Sequence, residues 1–127
     1  MKKIISVDIE NYTIDRSNSF SIRNTARAII FNKHKQIAFI NATKYNYHVI
    51  PGGGIDDGET KEDALKRECL EETGLHIKII REIGLTEEVQ RYAHKIQNSF
   101  CYIAEVIGEA VEPKLEENEL RAGYKLE

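Results

Sequence analysis

The chain is 127 residues long, which suits a single domain over 1–127 and leaves no room for a second. Hydrophobic residues make up 41% and charged residues 31%, an ordinary globular balance, and no apolar run approaches the length of a membrane span. With 18 basic against 21 acidic residues the net charge is −3 and no Lys/Arg stripe forms, so a nucleic-acid polymer is not an expected partner; a free nucleotide remains one.

In chain order, Met1-Lys2-Lys3-Ile4-Ile5 opens basic and then apolar, but Asp8 and Glu10 interrupt it before a signal-peptide core forms. A cytoplasmic protein without membrane contact is expected. Ile4, Ile5, Val7 and Ile9 alternate loosely, as in a strand. Asn24 to Asn32 reads as a strand with Ala26, Ala28 and Ile30 on one side. Asn32-Lys33-His34-Lys35 makes a polar turn, and Gln36 to Ala42 reads as the second half of a hairpin. Tyr47 to Ile50 is a further short stretch, ended by Pro51-Gly52-Gly53-Gly54. Thr60 to Asp63 fits a helix start, with a hydroxyl cap and an acid three residues on. Ala64 to Thr73 has no Gly or Pro and should be helical, with Gly74 as its left-handed stop. His76 to Ile80 and Phe100 to Ile107 read as strands. Glu109 to Asn118 is acidic and loop-like, and Leu120 to Leu126 reads as a last strand. Cys69 and Cys101 match no metal-ligand spacing and read as reduced, small core residues. Several strands with one firm helix indicate an α/β or α+β domain.

The chemistry concentrates between Gly53 and Leu75 (GGIDDGETKEDALKRECLEETGL). On a helix, Glu68, Glu71 and Glu72 fall at i, i+3 and i+4 and share one face. Like charges at that spacing repel by a few tenths of a kcal/mol per pair on an exposed helix, and by more when buried. A hard divalent cation such as Mg2+ or Mn2+ relieves this, since both favour oxygen ligands. The glycine-rich loop ahead of the helix has no side chains to keep it away and can offer a carbonyl. A glutamate-rich helix by itself is usually a solvated face; here the glutamates have fixed company.

The segment resembles the signature of the Nudix hydrolases: Gly, five residues, Glu, seven residues, then Arg-Glu-apolar-any-Glu-Glu-any-Gly-apolar. Gly53, Glu59, Arg67, Glu68, Glu71, Glu72, Gly74 and Leu75 match, and Cys69 stands where the family usually has Ile, Leu or Val. Seven fixed positions at roughly 6% background usage coincide by chance on the order of once in 10⁸ starting points. The resemblance implies an α/β/α sandwich around a mixed sheet. It implies metal binding by Glu68, Glu71, Glu72 and the Gly53 carbonyl, and catalytic roles for the same three glutamates, with Glu68 the first choice for orienting or deprotonating water. Glu59 and Arg67 resemble the pair that ties loop to helix. The implied reaction is hydrolysis of a phosphoanhydride in a nucleoside diphosphate linked to another group, with Mg2+ (or Mn2+) as cofactor. A non-catalytic module that senses a nucleotide such as ADP-ribose is the alternative.

Outside the motif, Arg23, Arg27, Tyr45, Tyr47 and Tyr92 are candidates for substrate contact: the arginines toward phosphate, Tyr45 and Tyr47 toward a base, and Tyr92 because its spacing from Leu75 resembles the tyrosine placement of diadenosine polyphosphate hydrolases. Glu87, Glu88 and Glu105 are candidates for an acid that assists the metal site, the first two in an expected loop. The run Glu116 to Leu126 resembles the approach to the family's last strand, normally followed by a helix, and the chain stops at Glu127. A sheet face left open by a missing C-terminal helix would favour a homodimer.

Overall fold

A computed structural model describes residues 1–8, 20–90 and 94–127. Its main sheet is five-stranded and mixed, in the order β1-β6-β7-β2-β5. The strands are β1 (Lys3–Asp8), β2 (Ser21–Phe31), β5 (Gly52–Gly54), β6 (His76–Gln90) and β7 (Lys95–Ile107). β2 and β7 run parallel, β6 and β7 antiparallel, and β5 lies antiparallel on the edge against β2. A second, three-stranded sheet joins β4 (Tyr47–Val49), β3 (Ile40–Ala42) and β8 (Tyr124–Leu126) in that order.

The expected alternation of β2 holds: Ala26, Ala28 and Ile30 are fully or almost fully buried on one face. They form the core with Leu65 and Cys69 of helix α1 (Lys61–Thr73), Ile77 of β6, and Tyr102 and Ala104 of β7. The alanines let the helix approach the sheet closely, and Tyr102 Oη reaches past the core to donate to Glu62. Cys69 is therefore a core residue, and both cysteines are free thiols.

α1 starts and stops where its end residues require. Thr60 Oγ1 accepts from the Asp63 N–H at 3.1 Å, and Glu62 and Asp63 sit favourably in the first turn. Gly74 ends the helix at φ 73°, its N–H returning to Leu70 O. A side chain there would also strike the Val111 carbonyl, because residues 109–116 strap across the helix end. Val111 N–H donates to Gly74 O and Lys114 N–H to Glu71 O.

Three expectations need correction. Gln36 to Ala42 is not the second half of a hairpin with β2. It meets β2 through the Phe31–Ile37 bridge and the Ala38 N–H to Ile30 O bond, then leaves to form β3 in the second sheet. Next, β6 runs on to Gln90 instead of ending at Ile80, with register shifts at Ile79/Arg81 and Glu82/Gly84 absorbing the polar interruption. Glu87 and Glu88 therefore lie in a strand, not a loop. Finally, Leu120 to Leu126 is not one strand: Glu117–Ala122 forms a short helix, α2, and only Tyr124–Leu126 is strand. Glu116 and Glu119 form a reciprocal capping box at its start, and Gly123 (φ 69°) ends it. Among the described residues no helix is long and apolar enough to cross a membrane.

Candidate active site

The edge pairing of β5 with β2 sets the site. Gly52 lies opposite Arg27, Gly53 opposite Ala26 and Gly54 opposite Thr25, so the glycine backbone is pinned to the sheet beside α1. Gly53 comes so close to the helix that an added Cβ would stand 2.5 Å from both Cδ and Oε2 of Glu68. A side chain at this position would have to push the Glu68 carboxylate aside.

Arg67 organises the other side. Its Nε donates to Glu59 Oε2 at 2.7 Å and its Nη2 to Glu59 Oε1 at 2.9 Å, the planar fork on a carboxylate that suits arginine and not lysine. Nη2 also donates to the Gly54 carbonyl at 3.0 Å, while the Asp56 N–H donates to Glu59 Oε1. One guanidinium thus ties helix, loop and β5 together. Nη1 reaches Glu68 Oε1 at 2.9 Å and Glu71 Oε2 at 3.3 Å, an additional link that the resemblance did not supply. The Arg67 hydrogen bonds hold Glu59 down to about 2. We expect Arg67→Lys to lower activity about 10- to 100-fold, the usual cost of a loosened supporting shell, with Tm falling less than for Arg67→Ala. Unchanged activity in the lysine variant would show that the fork is dispensable.

Glu72 is 5% exposed and Glu68 9%. Burial, then the nearby Glu119 and Glu68 charges, push Glu72 up to about 9. Burial raises Glu68 as well, against the opposing pull of Arg67. Burial disfavours the charge on both carboxyls, and a bound cation would relieve that cost. This donor set fits a hard divalent ion. Among the described residues no three acidic, histidine or cysteine side chains converge on one point as they stand. Arg67 draws Glu68 and Glu71 to itself, and a bound cation would compete for them.

The raised Glu72 carries a pH signature. Between the ordinary carboxylate value of 4.5 and about 9 the folded state holds a proton that the unfolded state has lost. Stability from this group is then present below the lower value and lost as pH rises through the upper one. In EDTA, Tm of the wild type relative to Glu72→Gln should fall from pH 5 toward pH 9. A relative Tm that rises with pH would contradict the buried, protonated state.

A cavity of about 340 Å³ opens over these groups, lined by Gly52 to Gly54, Glu68, Glu72, Arg23 and Arg27 on one side and by Glu116, Glu119 and Tyr124 on the other. Arg23 and Arg27 stand four residues apart on β2 and so project from the same face. Arg23 bonds Gln97 Oε1 and Arg27 bonds the Ile50 carbonyl, each through Nη1. Glu71 is not among the lining residues; it sits against Arg67. Neither do Glu87, Glu88 or Glu105 line the cavity. Glu87 is buried and accepts from Lys3 Nζ, and Glu105 is exposed on β7 opposite Phe31 and Lys78. The acids that do face the site from outside the motif are Glu116 and Glu119, which sequence reasoning missed. The available signal was a glutamate, a second three residues on and Gly123 after them, the marks of a short capped helix. Tyr45 and Tyr47 lie outside the cavity lining, and Tyr92 falls outside the described residues.

The chain is similar to known proteins in sequence and in fold. A NUDIX domain matches residues 21–124. An RNA pyrophosphohydrolase of Baumannia cicadellinicola subsp. Homalodisca coagulata is 35% identical over 83 residues, covering 65% of this chain and 51% of that protein. One from Vibrio vulnificus (strain YJ016) is 42% identical over 66 residues, covering 50% of this chain and 37% of its own length. The chain thus spans about half or less of these curated relatives. In fold it is similar to a NUDIX hydrolase from Nitrosomonas europaea, with a TM-score of 0.65, 20% identity, and coverage of 79% of this chain and 76% of that one. It is also similar to a MutT protein from Methanosarcina mazei Go1, with a TM-score of 0.63, 16% identity, and coverage of 78% and 76%. With a NUDIX domain matched over residues 21–124, most of its length, the chain belongs to the Nudix family.

Proposed function

We propose that the chain hydrolyses a phosphoanhydride bond in a nucleoside diphosphate linked to another group. The observation that carries this reading is the cavity itself, where two arginines, a glycine backbone and the buried Glu68–Glu72 pair face one space. Arg23 and Arg27 bind phosphate oxygens, with guanidinium forks matched to that geometry. A divalent cation, Mg2+ or Mn2+, held by Glu68, Glu71, Glu72 and the Gly53 carbonyl, would neutralise phosphate charge and acidify water. Arg67, itself fixed by Glu59, holds Glu68 in place, and Glu68 accepts the proton of the attacking water. The water oxygen bonds to phosphorus as the bridging oxygen leaves with the second phosphate. The products are a nucleoside monophosphate and the phosphorylated partner group. Glu116 and Glu119 add negative charge opposite, which strengthens the demand for a cation and excludes a bare anionic ligand.

The deciding experiment is turnover with Mg2+, Mn2+ or EDTA on a panel of nucleoside triphosphates, ADP-ribose, nucleotide sugars, dinucleoside polyphosphates and a 5′-triphosphorylated RNA oligonucleotide. The last belongs there because the curated relatives are named for RNA pyrophosphohydrolysis. Cation-dependent release of monophosphate from any member is the expected result. Binding without turnover across the panel would replace this reading with the sensing module.

A further inference from the structure

α2 brings Glu116, Asn118 and Glu119 to the cavity, yet little in the helix itself keeps it there. It has six residues, of which only Ala122 is buried. A helix that short is marginal in water, and this one presses almost no apolar surface against the protein. Its capping box and its Arg121–Glu117 pair join α2 to itself, so they keep it helical without placing it. Its position comes from hydrogen bonds at its two ends. Before it, the strap is tied to α1 by Lys114 N–H to Glu71 O. After it, the turn that follows β3 takes hold. Lys44 N–H donates to Ala122 O, and Thr43 donates to Gly123 O twice, by its N–H at 3.2 Å and its Oγ1–H at 2.7 Å.

The Thr43 hydroxyl is the part of this anchor that belongs to a side chain. Gly123 O already accepts the Thr43 N–H, so the second bond is not needed to satisfy a helix-end carbonyl. The approach is close: at φ 69°, an added Cβ on Gly123 would stand 2.1 Å from Thr43 Oγ1. The anchor point is also firm. Thr43 directly follows β3, whose Ile40 and Ala42 are fully buried, and Ala42 O accepts the N–H groups of Tyr45 and Asn46. Across the cavity, Glu119 is near enough for its charge to act on Glu72, and Glu116 for its charge to act on Glu68. Where the turn holds α2 therefore sets how much negative charge faces the buried pair.

We infer that Thr43 is a positioning residue of the active cavity: its hydroxyl, bonded to Gly123 O, holds α2 so that Glu116 and Glu119 favour a phosphate that arrives with its cation over one that arrives bare. Thr43 does not line the cavity and acts only through α2. For the identity of the ligand the inference rests on the phosphoanhydride reading. An α2 free to swing outward takes two carboxylates away from the cation and leaves Arg23 and Arg27 facing a less negative wall. Cation affinity then falls while affinity for metal-free nucleotide rises. A general loosening of the cavity would weaken both.

The test uses Thr43→Val, which keeps the shape and removes the hydroxyl, and Thr43→Ser, which keeps the hydroxyl. Mn2+ alone is titrated into each protein and read by the electron paramagnetic resonance of the free ion. ADP in EDTA is titrated by calorimetry. In Thr43→Val the Kd for Mn2+ should rise about three- to tenfold and the Kd for metal-free ADP should fall by about the same factor, the scale of one hydrogen bond. Thr43→Ser should return both to the wild-type values. In a Glu119→Gln background Thr43→Val should move both constants less than it does in the wild type, because the two changes act through one charge. Both constants unmoved in the valine variant, both weakened together, or a serine variant that behaves as the valine one would overturn the inference. Neither titration needs turnover. Opposite shifts without hydrolysis of any panel compound would sink the hydrolase reading and leave Thr43 its role; Mg2+-dependent turnover with both constants unmoved would do the reverse.

Discussion

Glu72→Gln should lower Mg2+-dependent turnover on the order of a thousandfold, the equivalent of several kcal/mol of lost charge stabilisation, while the cation-free protein stays at least as stable as the wild type at neutral pH. The two halves of this result come from one feature. Glu72 is buried, and burial with Glu119 and Glu68 nearby pushes it up to about 9, so without a cation it is already a neutral acid near pH 7. An amide of the same shape then replaces one neutral group by another. What the amide cannot do is ionise and take a place in a cation's shell. Turnover on whichever panel substrate is accepted reads the first half, and Tm in EDTA the second. The rise of Tm on adding Mg2+ should also shrink in the variant, because a ligand stabilises only the state that binds it. Full turnover would remove Glu72 from the metal site. A large fall in cation-free Tm would make it a structural residue instead. Glu71→Gln differs in kind: it disturbs the Arg67 Nη1 contact at 3.3 Å, on a side chain that is 34% exposed.

The same contrast between local and distant causes governs how much was legible in the sequence. α1 was, because its signals are carried by neighbours in the chain: Thr60 at one end, Gly74 at the other and no breaker between. The site's inner wall was legible for the same reason, since Gly53, Glu59, Arg67 and the helix glutamates sit at spacings that a loop and one helix turn into contacts. The sequence shows β6 only as far as Ile80, because Arg81, Glu82 and Gly84 break the β-branched pattern there. Only pairing with β7, through two register shifts, makes them part of a strand. Glu116 and Glu119 were invisible as site residues because they reach the cavity by tertiary means. The strap formed by Val111 N–H to Gly74 O and Lys114 N–H to Glu71 O delivers α2 there, and no spacing in the chain encodes that.

Gly53→Ala and Gly52→Ala, one residue apart, should fail in opposite ways. At Gly52 the backbone is at φ 143° and an added Cβ would stand 2.1 Å from Ala26 O and 2.7 Å from Arg27 Cα. Those are backbone atoms of the neighbouring strand and cannot turn aside. The β2–β5 pairing must open, at a cost of more than about 2 kcal/mol, and Tm and activity fall together. At Gly53 the φ is not in the left-handed region, and the clash is with Cδ and Oε2 of Glu68 at 2.5 Å. A side-chain end moves more easily than a strand, so the fold persists and Tm stays near that of the wild type. Yet Glu68 is the carboxylate that Arg67 holds at 2.9 Å, and a displacement of roughly 1 Å there should cost about a hundredfold in turnover. Measuring Tm, turnover and the Mg2+-induced rise in Tm for both variants separates the cases. If Gly53→Ala kept full turnover, the close approach of this backbone to Glu68 would be a packing accident, and the metal-ligand reading of the Gly53 carbonyl would lose its support. If it instead unfolded as Gly52→Ala does, the three glycines would be a strand requirement alone, and the chemistry would have to be carried by the helix without the loop.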